Sequence, residues 1–235
     1  MYNNQKVSVI FPAYNEEKNI FNAIADFLAT GYVDELIVVD NNSKDNTYQE
    51  AKRAGAIVIK ENNQGYGRAN RRGLKEATGD IIITVEPDGT FVAKDIIKLL
   101  IYSDEFDAVF GTRTSKEHIW SGAKMNRLLR MGNVLVAKLL EYCFNGTCLS
   151  DVGCTFKLIK KKALHKIIDK FTVGESHFSP EYMILVLKNH IKCVEIPVNY
   201  KERIGDSKIT SDNRKAFKLG LIMVNLILKY RFGLK

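Results

Sequence analysis

The stretch Asp80-Ile-Ile-Ile-Thr-Val-Glu86-Pro-Asp88-Gly-Thr90 sets the terms for the rest of the chain. Ile81 to Val85 is apolar or β-branched and unbroken by charge, the pattern of a strand buried on both faces of a parallel sheet. It stops in two carboxylates two residues apart, followed by a glycine. In open α/β sheets ligands bind beyond the carboxyl ends of the strands. Glu86 and Asp88 delivered there can hold a divalent cation, and the cation a phosphate. The alternative is a strand followed by an ordinary polar turn, with Pro87 and Gly89 as turn residues.

The remaining strands bear on that choice. Val7–Phe11 reads as a buried strand closed by Pro12-Ala-Tyr14-Asn15-Glu16, with Pro12 ending it and Asn15 capping a helix to about Thr30. Glu35–Val39 is a second strand, ending in Asp40, and Ser43 caps a short helix to about Ala54. Ala56–Ile59 is a third. The loop Asn62–Arg68 leads into a helix over Ala69–Ala77 and so to the central strand. A helix over Ala93–Tyr102 precedes the strand Asp107–Phe110, which ends in Gly111-Thr-Arg113. Regular alternation predicts a mostly parallel sheet with helices on both faces. Polar groups recurring at strand ends (Asp40, Glu86 with Asp88, Arg113) predict one site rather than scattered turns.

The second half reads differently. Lys124–Tyr142 is a long helical pattern on which Lys124, Arg127, Arg130 and Lys138 fall within about 120° of one face. That stripe is either a solvated basic face or a surface for phosphates or anionic lipid. A strand over Val152–Ile159, a helix over Lys161–Lys170, an amphipathic helix over Phe178–Lys188 and a last strand over Cys193–Val198 follow. A polar loop with Arg203, Ser207 and Lys208 precedes a closing amphipathic helix over Asn213–Phe232. The expected division is a catalytic domain over 1–212 and the C-terminal helix over 213–235.

Composition narrows the class. With 46% apolar residues the chain has material for a sizeable core, and an excess of eight Lys and Arg over Asp and Glu favours anionic partners. Cys143, Cys148, Cys154 and Cys193 form no C-x-x-C pair, which argues against zinc and for small core residues in a reducing compartment. Met1–Lys6 is polar, so no signal peptide is expected. No run reaches the roughly 18 to 20 apolar residues of a spanning helix. The four histidines lie outside the strand-end motifs and read as structural or exposed.

Pro12-x-Tyr14-Asn15-Glu16, Val39-Asp40-Asn-x-Ser43-x-Asp45-x-Thr47, Gly65-x-Gly67-x-Ala69 and Glu86-x-Asp88-Gly-Thr90, in that order, resemble the inverting family 2 glycosyltransferases of the GT-A fold. Gly111-x-Arg113, Asp151-Val-Gly-Cys-Thr-Phe156-Lys and Arg203-x-Gly205-x-Ser207-Lys208 are similar to the branch containing dolichyl-phosphate mannose synthase and bacterial polyprenyl-phosphate glycosyltransferases. The resemblance covers nearly the whole chain. It implies that Pro12, Tyr14, Glu16, Asp40 and Gly67 surround the nucleotide. Glu86-Pro87-Asp88 stands where the family has Asp-x-Asp, binding ribose, diphosphate and a Mg²⁺ or Mn²⁺ ion. Glu86-Pro87 replaces the usual Asp-Ala, and glutamate reaches one methylene further. Arg113 is expected at the diphosphate or acceptor phosphate, and Arg127, Arg203, Ser207 and Lys208 at the acceptor phosphate. Asp151 matches an acidic residue near the acceptor.

The implied activity is transfer of a sugar from a nucleotide diphosphate to a polyprenyl phosphate, on the cytoplasmic face of a membrane that the chain touches without spanning. A phosphate acceptor needs cations, whereas a hydroxyl acceptor needs a base. The alternatives are a glycan or protein hydroxyl acceptor with Asp151 as base, and an inactive nucleotide-sugar-binding subunit. Nucleic acid is not an expected partner, and a homodimer is left open.

Overall fold

The computed structural model describes residues 1–123, 125, 127–204 and 213–233. Seven strands form one sheet: β1 (Val7–Ala13), β2 (Glu35–Asp40), β3 (Ile57–Lys60), β4 (Ile81–Thr84), β5 (Ala108–Thr112), β6 (Lys157–Lys160) and β7 (Cys193–Pro197). Their order is β3-β2-β1-β4-β6-β5-β7. All neighbouring pairs are parallel except those made by β6, which runs antiparallel between β4 and β5. The sheet is therefore mostly parallel, as the alternation predicts. The chain leaves β1 to one side for β2 and β3, then returns to β4 on the other. The crevice between the ends of β1 and β4 is thus the topological switch point, where such sheets bind ligands.

Alternate residues of each central strand feed two cores, one per face. Ile10, Ile37, Val39, Ile82 and Phe110 join the core under α3 (Tyr66–Glu76), α5 (Arg127–Phe144), α7 (Phe178–Lys188) and α8 (Asn213–Phe232). Val9, Phe11, Val38, Ile83 and Val109 join the core under α1 (Ile20–Leu28), α2 (Thr47–Arg53) and α4 (Ile96–Ser103). Both faces being covered explains why these strands read as unbroken apolar runs. Each fully buried Ile or Val contributes about 1.5–3 kcal/mol of apolar transfer.

The structure differs from the sequence reading in several places. Pro12 does not end β1, which runs on to Ala13 beside Asp40 of β2. The Ile10 carbonyl faces β4 and accepts from Val85 N–H, so Pro12, two residues on, turns its missing N–H the same way, where β1–β4 pairing has stopped at Ile10–Thr84. Asn15 is not a helix cap. It sits at φ 56°, and α1 begins four residues later than Glu16. Its Oδ1 accepts from Lys44 N–H and its N–H donates to Ser43 Oγ, so Asn15 and Ser43 join two loops instead of capping helices. The strand expected over Val152–Ile159 is only Lys157–Lys160, because the Val152 and Cys154 carbonyls accept from the Ser179 hydroxyl rather than from a strand. Over Lys161–Lys170 a single turn, α6 (Lys161–Leu164), is followed by i to i−3 bonds and not by a continuous helix. The helix α7 is buried from Phe178 to Leu187 and so is not amphipathic, since α5 and α8 cover the side that would face water. Among the cysteines, Cys154 and Cys193 are core residues and Cys148 is exposed.

The boundary expected at 212/213 does not separate two cores. Met223 and Ile227 of α8 are part of the core around α5 and α7, with Leu219, Leu226 and Tyr230 packed against it. Tyr230 donates its hydroxyl to the fully buried carboxylate of Glu181 at 2.7 Å.

Candidate active site

The carboxyl ends of β1, β2 and β3 are stitched into one rim by local polar residues. Glu16 N–H donates to Thr47 Oγ1 at 2.8 Å and Glu17 N–H to Asp45 at 3.3 Å. Asp40, itself buried, accepts from Ser43 N–H at 3.1 Å. Asn41 donates to the carbonyls of Glu61 and Asn63 and accepts from Gly65 N–H at 2.7 Å. The Asx-type contacts of these short side chains hold the loops in non-helical conformations. Pro12, Tyr14, Glu16 and Asp40 are thereby brought to one side of the crevice.

The turn after β4 forms its floor. Asp88 is 1% exposed, and its Oδ1 accepts from Thr90 N–H (3.0 Å) and Thr90 Oγ1 (2.6 Å). Asn19 donates to the Pro87 carbonyl at 2.7 Å. Gly89 sits at φ 78°, a left-handed conformation that glycine adopts without steric cost. The segment after β7 lies across this turn, with Lys201 N–H on Thr90 O and Ile204 N–H on Asp88 O. It carries Arg203 into the crevice. One guanidinium nitrogen meets Glu16 Oε1 at 2.7 Å and the other meets Asp88 Oδ2 at 3.0 Å. The sequence reading put Arg203 on the acceptor side, away from these carboxylates. The structure puts it between them. Ser207 and Lys208 lie outside the described residues.

Glu16, Glu86 and Asp88 crowd more negative charge together than Arg203 balances. Burial pushes the Glu86 carboxyl up to about 8, the charge of Asp88 adding to the effect and Arg203 opposing it. Burial likewise raises Glu16 to about 7, against the pull of Arg203. A pocket with these shifts is short of positive charge. Among the described residues no three His, Cys, Asp or Glu side chains converge as a ready-made metal site. The carboxylates nonetheless suit Mg²⁺ or Mn²⁺, which take one or two protein carboxylates and complete their shell with phosphate oxygens and water. The guanidinium already seated between Glu16 and Asp88 shows that a cation is accommodated there.

Beside the carboxylates lies a buried ion pair. Arg113 Nε and Nη2 donate to Asp151 at 2.8 and 3.0 Å, and Arg113 N–H adds a third bond at 3.0 Å. Asp151 is 0% exposed. Burial would raise its carboxyl, but Arg113 outweighs burial and holds it below the usual carboxylate range. Its lone pairs are spent on Arg113 and on Gly153 N–H, an arrangement for orienting a guanidinium rather than for taking a proton. The Arg113 guanidinium also stands 5.1 Å from the ring centre of Tyr200. Gly67 lies in the first turn of α3. A β-carbon there would come within 2.4 Å of the Val173 carbonyl oxygen, so its glycine serves the packing of the 173–174 backbone on α3. Arg127 is exposed at the first turn of α5, one turn before Arg130. Lys138 pairs with Glu141 at 2.7 Å, and Lys124 lies outside the described residues.

Sequence reasoning missed Tyr200, and it missed Glu195, whose carboxylate accepts from Ser150 and Asp151 N–H. A charge inside the apolar run Cys193–Pro197 was the available signal. It also missed Lys157, a buried ammonium on Ser179 Oγ at 2.9 Å and on the Cys154 carbonyl, bracing the loop that carries Asp151.

Three comparisons relate the chain to known proteins. The family model described as glycosyl transferase family 2 matches residues 8–168. A dolichyl-phosphate hexose transferase of Haloferax volcanii is 30% identical over 212 residues, covering 88% of each chain. A UDP-N-acetylglucosamine–dolichyl-phosphate N-acetylglucosaminyltransferase of Methanococcus voltae is 29% identical over 82% of this chain and 84% of its own. Among solved structures, glucosyl-3-phosphoglycerate synthase of Mycobacterium tuberculosis, in complex with Mn²⁺, UDP and glucosyl-3-phosphoglycerate, superposes with a TM-score of 0.71. It is 18% identical and the match covers 99% of this chain and 81% of that one, a likeness of fold.

Proposed function

The chain belongs to glycosyltransferase family 2, and from that premise we propose that it transfers a sugar from a nucleotide diphosphate to a polyprenyl phosphate at a membrane surface. The observation that carries the reading is the pairing of two unlike subsites in one crevice. One is a carboxylate floor short of positive charge, Glu16, Glu86 and Asp88. The other is an arginine, Arg113, held rigid by a carboxylate that has no lone pair to spare. The first suits a metal–diphosphate and the second an anionic acceptor.

Asp40, Tyr14 and Pro12 would line the nucleotide on the β1–β2 side. Glu86 and Asp88 would hold Mg²⁺ or Mn²⁺, which when bound neutralises charge on the departing diphosphate. Arg113 would orient a phosphate oxygen toward the sugar, fixed in place by Asp151 before substrate arrives. A phosphate acceptor is already ionised, so the step needs no general base. Asp151, the base of the hydroxyl-acceptor alternative, faces Arg113 instead. The acceptor class is also supported by the activities after which the Haloferax volcanii and Methanococcus voltae relatives are named.

Membrane docking would use the outer faces of α5 and α8. Leu128, Met131, Leu135 and Tyr142 on α5, and Phe217, Leu221 and Phe232 on α8, are exposed, and the two helices pack together. Lys215, Lys218 and Lys229 flank the α8 row, the composition of a helix lying in the interface. Among the described residues no helix is long and apolar enough to cross a membrane.

The test is a partition assay. Radiolabelled nucleotide sugars are incubated with Mg²⁺ or Mn²⁺ and either polyprenyl phosphate in vesicles or soluble glycans. The reading expects label in an organic-extractable, mild-acid-labile product. Label entering only the glycan would replace the acceptor assigned here.

A further inference from the structure

We propose that Arg203 is the resident counter-ion of the donor-site carboxylates, and that the divalent metal binds in exchange for it. The inference rests on the donor-site reading above and goes beyond it. The arginine is not simply an acceptor ligand waiting at the mouth of the site; it takes the cation's position whenever the metal is absent.

Three observations support it. The guanidinium contacts both Glu16 and Asp88, at 2.7 and 3.0 Å, and these belong to two different strand-end loops. It therefore bridges the nucleotide side and the floor of the crevice, the span a metal–diphosphate has to occupy. Second, Arg203 Nε is buried without a hydrogen-bond partner among the described residues. A buried donor left unmet is costly, so this seat is not one that satisfies the side chain fully. Third, the attachment is local. Ile204 N–H rests on the Asp88 carbonyl, so the backbone following Arg203 is pinned to the same turn that carries the ligand carboxylate. A cation entering at Asp88 thus meets the arginine and its anchor together.

Two cations at one carboxylate a few ångströms apart repel strongly in a partly desolvated crevice. The metal then binds with Arg203 displaced, and the displaced guanidinium is released toward an incoming anion. On this account Arg203 keeps the empty site from collecting metal without donor. The donor diphosphate supplies the negative charge that makes the exchange favourable.

The experiment measures Mn²⁺ affinity by electron paramagnetic resonance, with and without UDP or GDP, for the wild type and for Arg203→Met. Methionine keeps much of the stem and removes the charge. The expected result is Mn²⁺ binding by the nucleotide-free variant that is tighter than wild type by about tenfold or more, the scale of one unit charge removed from beside the ion. The gain in Mn²⁺ affinity on adding nucleotide should be smaller in the variant. Equal or weaker binding by a folded variant overturns the exchange. A second measurement needs only the wild type: trypsin cleavage of the Arg203–Ile204 bond requires the side chain to leave the carboxylates. Cleavage at that bond should rise over the Mn²⁺ range in which metal binds, and cleavage that stays flat while metal binds overturns the proposal. If the wild type binds no Mn²⁺ even with nucleotide, the donor-site reading fails and the exchange with it. If wild type binds Mn²⁺ with nucleotide and the variant gains nothing without it, only the exchange fails.

Discussion

Replacing Asp151 by asparagine separates an orienting carboxylate from a proton acceptor. Asp151 is 0% exposed and its oxygens take two guanidinium N–H bonds from Arg113, one from Arg113 N–H and one from Gly153 N–H. Asparagine keeps the shape, but one oxygen becomes an NH₂ group facing donors, and Arg113 loses its counter-charge. Breaking one side of a buried pair costs about 3–5 kcal/mol, because the partner charge stays buried and unpaired. For a chain of this size each kcal/mol moves the melting temperature by about 2–4 °C, so the expected fall is about 6–20 °C. The Asp151 carboxyl is held low by Arg113, and a depressed carboxyl contributes stability above its unfolded pKa and loses it as pH falls through the folded value. The gap between wild type and Asp151→Asn should therefore be full at neutral pH and close in acid. Calorimetry across pH reads the gap, and steady-state kinetics should show acceptor KM rising with donor KM little changed. A variant that melts with wild type at neutral pH yet loses kcat would refute the orienting role and restore Asp151 as a base.

Three further outcomes follow from the geometry. Gly67→Ala should destabilise the fold by about 2–3 kcal/mol, read by denaturant titration, since the new methyl meets backbone atoms of Val173 and Gly174 that cannot swing away; unchanged stability would mean that the 173–174 segment does not pack as described. Glu16 and Glu86, raised to about 7 and about 8, hold protons in the folded empty enzyme that the unfolded chain releases near the ordinary carboxylate value. Their contribution is complete below that value and is lost as pH rises to about 7 to 8, so the melting temperature of the empty enzyme should fall between about pH 5 and pH 8, and metal binding should release protons. A flat profile contradicts the charge-crowded floor. Phe217→Glu with Leu221→Glu should weaken flotation with anionic liposomes while leaving the melting temperature in place, because both side chains are exposed; removing α8 outright is not the equivalent test, since Met223 and Ile227 leave the core with it.

The strands, and so the polar residues at their ends, were legible because burial on both faces writes itself as unbroken apolar runs such as Ile81–Thr84. The order of the sheet was not legible. Antiparallel insertion of β6 depends on where the loop around Asp151 spends its carbonyls, and those partners, Lys157 and Ser179, are far from it in sequence or read as strand and helix. Local pattern also misled at Asn15. It has the residue type of a helix cap, yet its side chain is spent on a neighbouring loop. Arg203 was a candidate site residue through the resemblance that Arg203-x-Gly205-x-Ser207-Lys208 carries. Its carboxylate partners, Glu16 and Asp88, were not, because 187 residues separate Arg203 from Glu16. At Gly67 the resemblance implies a place beside the nucleotide, while its packing against the distant 173–174 backbone was not legible.

The most direct test of the account is sugar transfer to polyprenyl phosphate by Asp88→Asn, compared with wild type in the presence and absence of excess EDTA. Asp88 lies 1% exposed at the floor of the crevice, bonded to Thr90 and Arg203. Removing its charge should lower transfer by about two orders of magnitude or more, the scale of losing one principal electrostatic group, with the circular dichroism spectrum kept. Wild-type activity should vanish in EDTA and return with Mg²⁺ or Mn²⁺. Full transfer by Asp88→Asn, or by wild type in EDTA, would contradict the assignment of the β4 carboxylates as the donor site.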